Sequence, residues 1–275
     1  QAFTEPSGTG LIEKVAVGNW ILPKKVPLPV IHPHRRKSTA MAWSGTNWVV
    51  FGGVNELHAM DDTWTSIDGF TDWELQTNSP VKPPARWGHG MAKVNGGVVI
   101  FGGYDSNNKP LNDLWYFATA SNSWEKVALA DNEIPPPRAG VSMGNSGPFA
   151  CVFGGTDGKR YFNDTWVLTD EFGGDAAIFG GGTGGVSSVK WLCINPNGET
   201  AKGPGPRAFA ATSSGMLIFG GRSGTLPGGS DTDEEGLEDG MELQLGGPNG
   251  GRDPRANALI WESSLYNTNW WEDQP

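Results

Sequence analysis

The residues able to do chemistry fall into a few groups. Seven acids (Asp231, Asp233, Glu234, Glu235, Glu238, Asp239 and Glu242) crowd residues 231–242 with no base among them. Such a run is either a solvated loop or a docking element for a basic surface. It does not match the Asp-x-Asp-x-Asp-Gly spacing of an EF-hand calcium loop. Four arginines, Arg36, Arg86, Arg138 and Arg207, recur in one phase of the chain. They either ring one mouth of a channel as a binding set or pair with neighbouring backbone and carboxylates. Cys151 and Cys193 sit among apolar neighbours and read as buried thiols, too few and too far apart for a disulfide framework. His32 and His34 alternate along an extended segment but supply only two of the four ligands that zinc needs; with His58 and His89 they form no ligand cluster. The run Gly180-Gly181-Gly182-Thr183-Gly184-Gly185 lacks the Lys and following helix of a phosphate loop. No paired nucleophile and base stands out, so no catalytic residue, metal or cofactor is expected.

Charge and composition narrow the classes. The net charge of −10 opposes a general nucleic-acid binder, because phosphates call for a basic surface. Outside the acidic run the chain is close to balanced, and the acid-free stretch 14–37 carries Lys14, Lys24, Lys25, Arg35, Arg36 and Lys37, onto which the run could fold back. Thirteen Trp and 12 Phe provide a core that a disordered chain of 41 Gly and 20 Pro would lack. No apolar stretch is long enough for a transmembrane helix.

The elements that must hold these residues come from an internal repeat. Phe-Gly-Gly recurs at Phe51, Phe101, Phe153 and Phe219, each after an apolar run. Arg36, Arg86 and Arg138 stand 15 residues upstream of their Phe, and Arg207 stands 12 upstream. Met41, Met91, Met143 and Thr212 follow five residues after each Arg. Downstream come Asp62-Thr63-Trp64, Asp113-Leu114-Trp115 and Asp164-Thr165-Trp166, with Leu259-Ile260-Trp261 as the fourth copy. A second Trp closes each unit at Trp73, Trp124, Trp191 and Trp270. Helical periodicity is absent. Each unit reads as four short strands: Arg to Met, the run into Gly-Gly, the segment through the first Trp, and the segment around the second. A period of about 50 residues with four strands per unit is the signature of a β-propeller blade.

The recurring Gly-Gly, Asp-x-Trp step and later Trp make residues 34–275 resemble the kelch repeat family. The resemblance implies an all-β, kelch-type β-propeller of four-stranded blades at about 34–85, 86–137, 138–206 and 207–275. In this reading the Gly pair allows a positive-φ turn where a blade crowds its neighbour, the Trp residues wedge between sheets, and the Asp accepts hydrogen bonds from turn amides. His89 takes a position that kelch repeats often fill with His. Residues 1–33 form an N-terminal extension with a half-blade, in which Trp20 is a last-strand Trp and Leu11 marks the strand before it. The chain is then four full blades and a half, either a piece of a larger propeller or a ring padded by that hairpin.

Kelch propellers are mostly protein-interaction modules, and function is grafted on their loops. Two insertions, 171–188 and 222–256, exceed ordinary connectors. The resemblance therefore implies a non-catalytic scaffold or accessory subunit whose protein partners dock on blade loops and insertions. The alternatives are a carbohydrate-binding propeller or a kelch-fold enzyme. A galactose-oxidase-like copper site would draw on Tyr104, Tyr116, Tyr161, Tyr266 and a linked Cys, which the apolar settings of Cys151 and Cys193 oppose. The Glu-x-x-x-Asp-x-x-x-His iron motif of nitrile-specifier proteins is absent. The opening Gln-Ala-Phe-Thr-Glu-Pro resembles cleavage contexts of plastid-targeted proteins in algae with complex plastids, which allows an organellar, photosynthetic complex; secretion and a cytosolic fragment are the other readings.

Overall fold

In the computed structural model the described residues are 16–17, 20–21, 32–69, 71–129, 133–147, 149–170, 189–196, 204–212, 216–222, 241–244 and 260–263. A hairpin of β1 (Ala16–Val17) and β2 (Trp20–Ile21) comes first. Blade one is β3 (Ala40–Trp43), β4 (Trp48–Phe51), β5 (Thr63–Ser66) and β6 (Glu74–Gln76). In blade two the short β7 (Arg86–Trp87) precedes β8 (Gly90–Val94) and β9 (Gly97–Phe101). The short β10 (Tyr104–Asp105) precedes β11 (Leu114–Ala118) and β12 (Ser123–Lys126). Blade three is β13 (Ser142–Ser146), β14 (Phe149–Phe153), β15 (Thr165–Asp170) and β16 (Val189–Asn195). Blade four is β17 (Ala211–Thr212), β18 (Ile218–Phe219), β19 (Met241–Gln244) and β20 (Ile260–Ser263). Each blade is a four-stranded antiparallel sheet in sequence order, and β7 pairs separately with β10. This is the all-β kelch propeller architecture.

Three details differ from the sequence reading. The first strand starts after the Arg, at Gly90 in blade two; Arg86 itself lies in the short outlying β7. In blade four the third strand is Met241–Gln244, inside the stretch assigned to the second insertion, and Trp261 falls on the outermost strand. The Asp-x-Trp marker is missing there, so spacing alone skipped one strand. The partner of Trp20 in the N-terminal hairpin is Val17, and Leu11 lies outside the described residues.

Packing follows the repeat. The strand-ending Phe51 and Phe101 meet the second Trp of the next blade edge-on, Phe51 with Trp124 and Phe101 with Trp191, both at 5.0 Å between ring centres. The Trp124 indole also donates to Thr63 Oγ1 of blade one at 2.8 Å. The Gly pairs turn with positive φ: Gly102 has φ 68°, and a Cβ there would stand 2.6 Å from the Arg138 carbonyl oxygen. The same closeness recurs at Gly52 and Gly154. Glycine is required because the next blade's backbone fills the space.

Candidate functional site

The arginines come into contact with their own blades. Arg86 Nη1 and Nη2 donate to the two carboxylate oxygens of Asp113 at 2.6 and 2.8 Å, and Nη1 also to the Gly102 carbonyl at 3.1 Å. Arg36 with Asp62, and Arg138 with Asp164, repeat the arrangement, including the Gly52 and Gly154 carbonyls. Each of these Asp residues also accepts from the indole two residues on: Trp64, Trp115 or Trp166. The Asp is thus the acceptor for a guanidinium and an indole, where the sequence had suggested turn amides. Bidentate geometry of this kind is what a guanidinium fork and a carboxylate favour. Burial pushes the Asp62 and Asp113 carboxyls up, but the Arg and Trp donors outweigh it and hold both below the usual carboxylate range.

The same arginines rivet blade to blade. The Arg86 amide donates to Met60 and its carbonyl accepts from Gly53, both in blade one. Arg138 and Arg207 make the equivalent backbone bonds to blades two and three. The Arg207 side chain donates to the Gly220 carbonyl at 3.0 Å. All four guanidinium groups are directed into their blades, and Arg86 and Arg138 are fully buried. Of the two readings of Arg36, Arg86, Arg138 and Arg207, a ring at a channel mouth or pairing within the blade, the structure has the second: a carboxylate and a carbonyl hold the fork in blades one to three, and the Gly220 carbonyl accepts from it in blade four.

The other candidate groups are quiet. His89 is buried edge-on to Phe51; burial, then the nearby Arg86 charge, push its imidazole down to about 3. Burial pushes the Cys151 thiol up to about 12 and the Cys193 thiol up to about 11; both are free thiols. Among the described residues no three His, Cys, Asp or Glu side chains converge as a metal site, and no helix is long and apolar enough to cross a membrane. Asp231, Asp233, Glu234, Glu235, Glu238 and Asp239 lie outside the described residues, as does the first insertion; Glu242 falls on β19.

What the structure brings together instead is a rim at the arginine end of the blades. Strand direction alternates, so the second-to-third-strand loops and the blade-to-blade links share this arginine face, and the other turns lie on the far face. Immediately after each Arg, Lys37 pairs with Val54, Trp87 with Tyr104, Ala139 with Thr156, and Ala208 with Arg222. One residue further on, Ser38, Gly88, Gly140 and Phe209 all have φ between 52° and 64°. Their backbones form a chain: the Gly88 amide donates to Ser38, Gly140 to Gly88, and Phe209 to Gly140, at 2.7–2.8 Å. The part-exposed Phe209 ring lies against Gly140 and stacks at 17° on Trp87, which in turn meets Tyr104 at 4.8 Å. Sequence reasoning passed over Trp87, Tyr104 and Phe209. The available signal was that Trp87 stands where the other blades have Lys37, Ala139 and Ala208, and Phe209 where they have Ser38, Gly88 and Gly140, at fixed steps after the phased Arg.

The two insertions leave from opposite ends. Asp170 and Val189, the paired residues on either side of the first, are at the far face, whereas Arg222, where the second begins, is on the arginine face.

Residues 24–172, more than half of the chain, match the family described as the KLHDC2/KLHL20/DRC7 Kelch-repeats domain. This chain belongs to the kelch-repeat family. Its relatives include Tip elongation aberrant protein 1 of Schizosaccharomyces pombe, 31% identical over 49% of this chain and 12% of that protein. An F-box/kelch-repeat protein of Arabidopsis thaliana is 27% identical over 69% of this chain and 40% of its own length. Kelch domain-containing protein 2 of Bos taurus is 29% identical over 38% and 26%, respectively. The matched stretch is less than half of each of these relatives. Kelch domains generally bind proteins.

Proposed function

We propose that this kelch chain is a non-catalytic scaffold or accessory subunit that docks a protein partner on its arginine face. The observation that carries the reading is the part-exposed aromatic rim of Trp87, Tyr104 and Phe209, flanked by the exposed cations Lys37 and Arg222. A non-glycine residue at φ 60° costs on the order of 1–3 kcal/mol, and two other blades have glycine at that step. Keeping Phe209 there supports a role for its ring. Aromatic anchors beside cations suit a peptide segment carrying apolar and acidic side chains. The buried, paired state of the arginines and the quiet thiols and imidazole support a role without catalysis. An organellar, photosynthetic assembly is the narrower version, carried by the first six residues alone.

The test is lysine crosslinking of the complex gently isolated from its source. Crosslinks from Lys37, Lys109 and Lys159 to one partner, and release of that partner by Trp87→Ala, support the reading. Crosslinks confined to the far-face Lys93 and Lys190 would refute it. The stacked aromatics also favour a second reading, a carbohydrate site; glycan binding lost in Trp87→Ala, with no protein partner, would replace the first.

A further inference from the structure

The link between blades one and two, residues 77–85, carries the one Ser-Pro step in the sequence, Ser79-Pro80, with Lys82 three residues beyond the hydroxyl. Proline holds the residue before it in extended backbone and presents no amide of its own. Residues 77–82 form neither strand nor helix, and all but Ser79 are exposed, Val81 at 53% and the Lys82 side chain at 52%. Two anchors bound the stretch. β6 ends at Gln76, whose side-chain amide donates to Thr65 Oγ1 at 2.7 Å, and Pro83 is buried.

The Ser79 hydroxyl ties this exposed stretch to the next blade. It donates to the Val81 carbonyl and accepts from the Trp124 amide at 2.7 Å. Trp124 lies on β12, the outermost strand of blade two, so its amide belongs to a sheet edge. The indole of the same residue reaches Phe51 and Thr63 of blade one. Ser79 thus fastens the link at a junction between blades.

We infer that Ser79 is the acceptor of a proline-directed protein kinase, and that its phosphorylation releases the link from β12. A hydroxyl followed by proline and, three residues on, by a base is a pattern that a kinase groove reads on an extended peptide. Here the pattern stands exposed on the folded chain. In the transfer, Ser79 Oγ attacks the γ-phosphorus of ATP. The Oγ–P bond forms as the bond from that phosphorus to the departing ADP oxygen breaks, and the hydroxyl proton passes to the carboxylate base of the kinase. The product keeps no O–H at Oγ. The Val81 carbonyl therefore loses its donor and faces a phosphate of charge about −1.5 to −2. The ester oxygen left at Oγ is a poor acceptor for the Trp124 amide. This inference does not rest on the docking reading above, because it uses none of Trp87, Tyr104 and Phe209.

The test is incubation of the purified chain with ATP and a purified kinase of the cyclin-dependent class, with the phosphate located by peptide mass spectrometry. Wild type is expected to take up a single phosphate, at Ser79. Pro80→Ala and Lys82→Ala are each expected to slow uptake by about tenfold or more. Asp61→Ala removes the 2.8 Å ion pair of Lys82 but keeps the cation, and is expected to leave the rate unchanged. Circular dichroism checks that each variant is folded. Hydrogen exchange then reads the link: the Trp124 amide is expected to exchange about tenfold faster in the phosphorylated chain, as in Ser79→Ala, which lacks the same hydroxyl. Absence of uptake by the folded wild type would overturn the inference, as would equal rates for wild type, Pro80→Ala and Lys82→Ala. Unchanged exchange at Trp124 in the fully phosphorylated chain would overturn the release.

Discussion

Replacing Asp164 by Ala takes one acceptor from three donors at once. Arg138 Nη1 and Nη2 lose partners at 2.5 and 2.8 Å, and Trp166 Nε1 loses one at 2.7 Å. The guanidinium, 0% exposed and 4.0 Å from the Phe162 ring centre, keeps the Gly154 carbonyl but has no counter-charge in the pair. Breaking a buried pair by removing one partner costs about 3–5 kcal/mol. Asp164 is 6% exposed, Asp113 19% and Asp62 25%, so water relieves the stranded donors least in blade three. The expected losses are therefore about 5 kcal/mol for Asp164→Ala, about 3–4 for Asp113→Ala and about 2 for Asp62→Ala. Asp61→Ala, which breaks the exposed Lys82 pair, is expected to cost about 0–1 kcal/mol. Urea unfolding followed by Trp fluorescence reads all four. The double variant Arg138→Met with Asp164→Ala is expected to recover much of the loss, since no buried charge is left alone. An Asp164→Ala cost equal to that of Asp61→Ala, or a reversed order across the blades, would refute the account of the Asp as buried hub.

Other consequences follow from single sites. His89 is held neutral with a pKa of about 3 against 6.5 unfolded, so its contribution is fully present above pH 6.5 and lost as pH falls toward 3. Between pH 7 and pH 5 that amounts to about 2 kcal/mol of stability; His89→Phe is expected to flatten this slope in pH-dependent urea titrations. Gly102→Ala places a Cβ 2.6 Å from the Arg138 carbonyl oxygen at φ 68°, whereas Gly147→Ala meets nothing within 4 Å. Thermal melts should show a loss of several kcal/mol for the first, and about 1 kcal/mol for the second from its positive φ alone. Cys151 is buried with its thiol pushed up to about 12, so iodoacetamide at pH 8 is expected to label it only after unfolding; ready labelling of the native chain would contradict its burial.

Much of the fold could be read in advance because a propeller repeats its markers. Phe-Gly-Gly ends the second strand, and in blades two and three the two Trp residues, Trp115 with Trp124 and Trp166 with Trp191, pack in the clusters between blades at the expected steps. The reading failed where a marker was missing. Without an Asp-x-Trp step, blade four's third strand at Met241–Gln244 was taken for part of an insertion. The candidate site was less legible. The recurrence of the arginines was visible, but a charged residue in a repeat has the same spacing whether it points into a channel or back into its blade.

Local sequence alone determined the four-strand unit and the glycine turns, because strand patterning and positive φ depend on neighbouring residues. It also determined which residues recur. Tertiary structure decided what each recurring residue touches. Arg86 meets Asp113 across 27 positions of chain, and Trp124 reaches Thr63 across 61. The rim of Trp87, Tyr104 and Phe209 joins three separate segments of the chain. Such contacts come from the order in which sheets stack around an axis, and local spacing does not encode which surfaces that stacking covers.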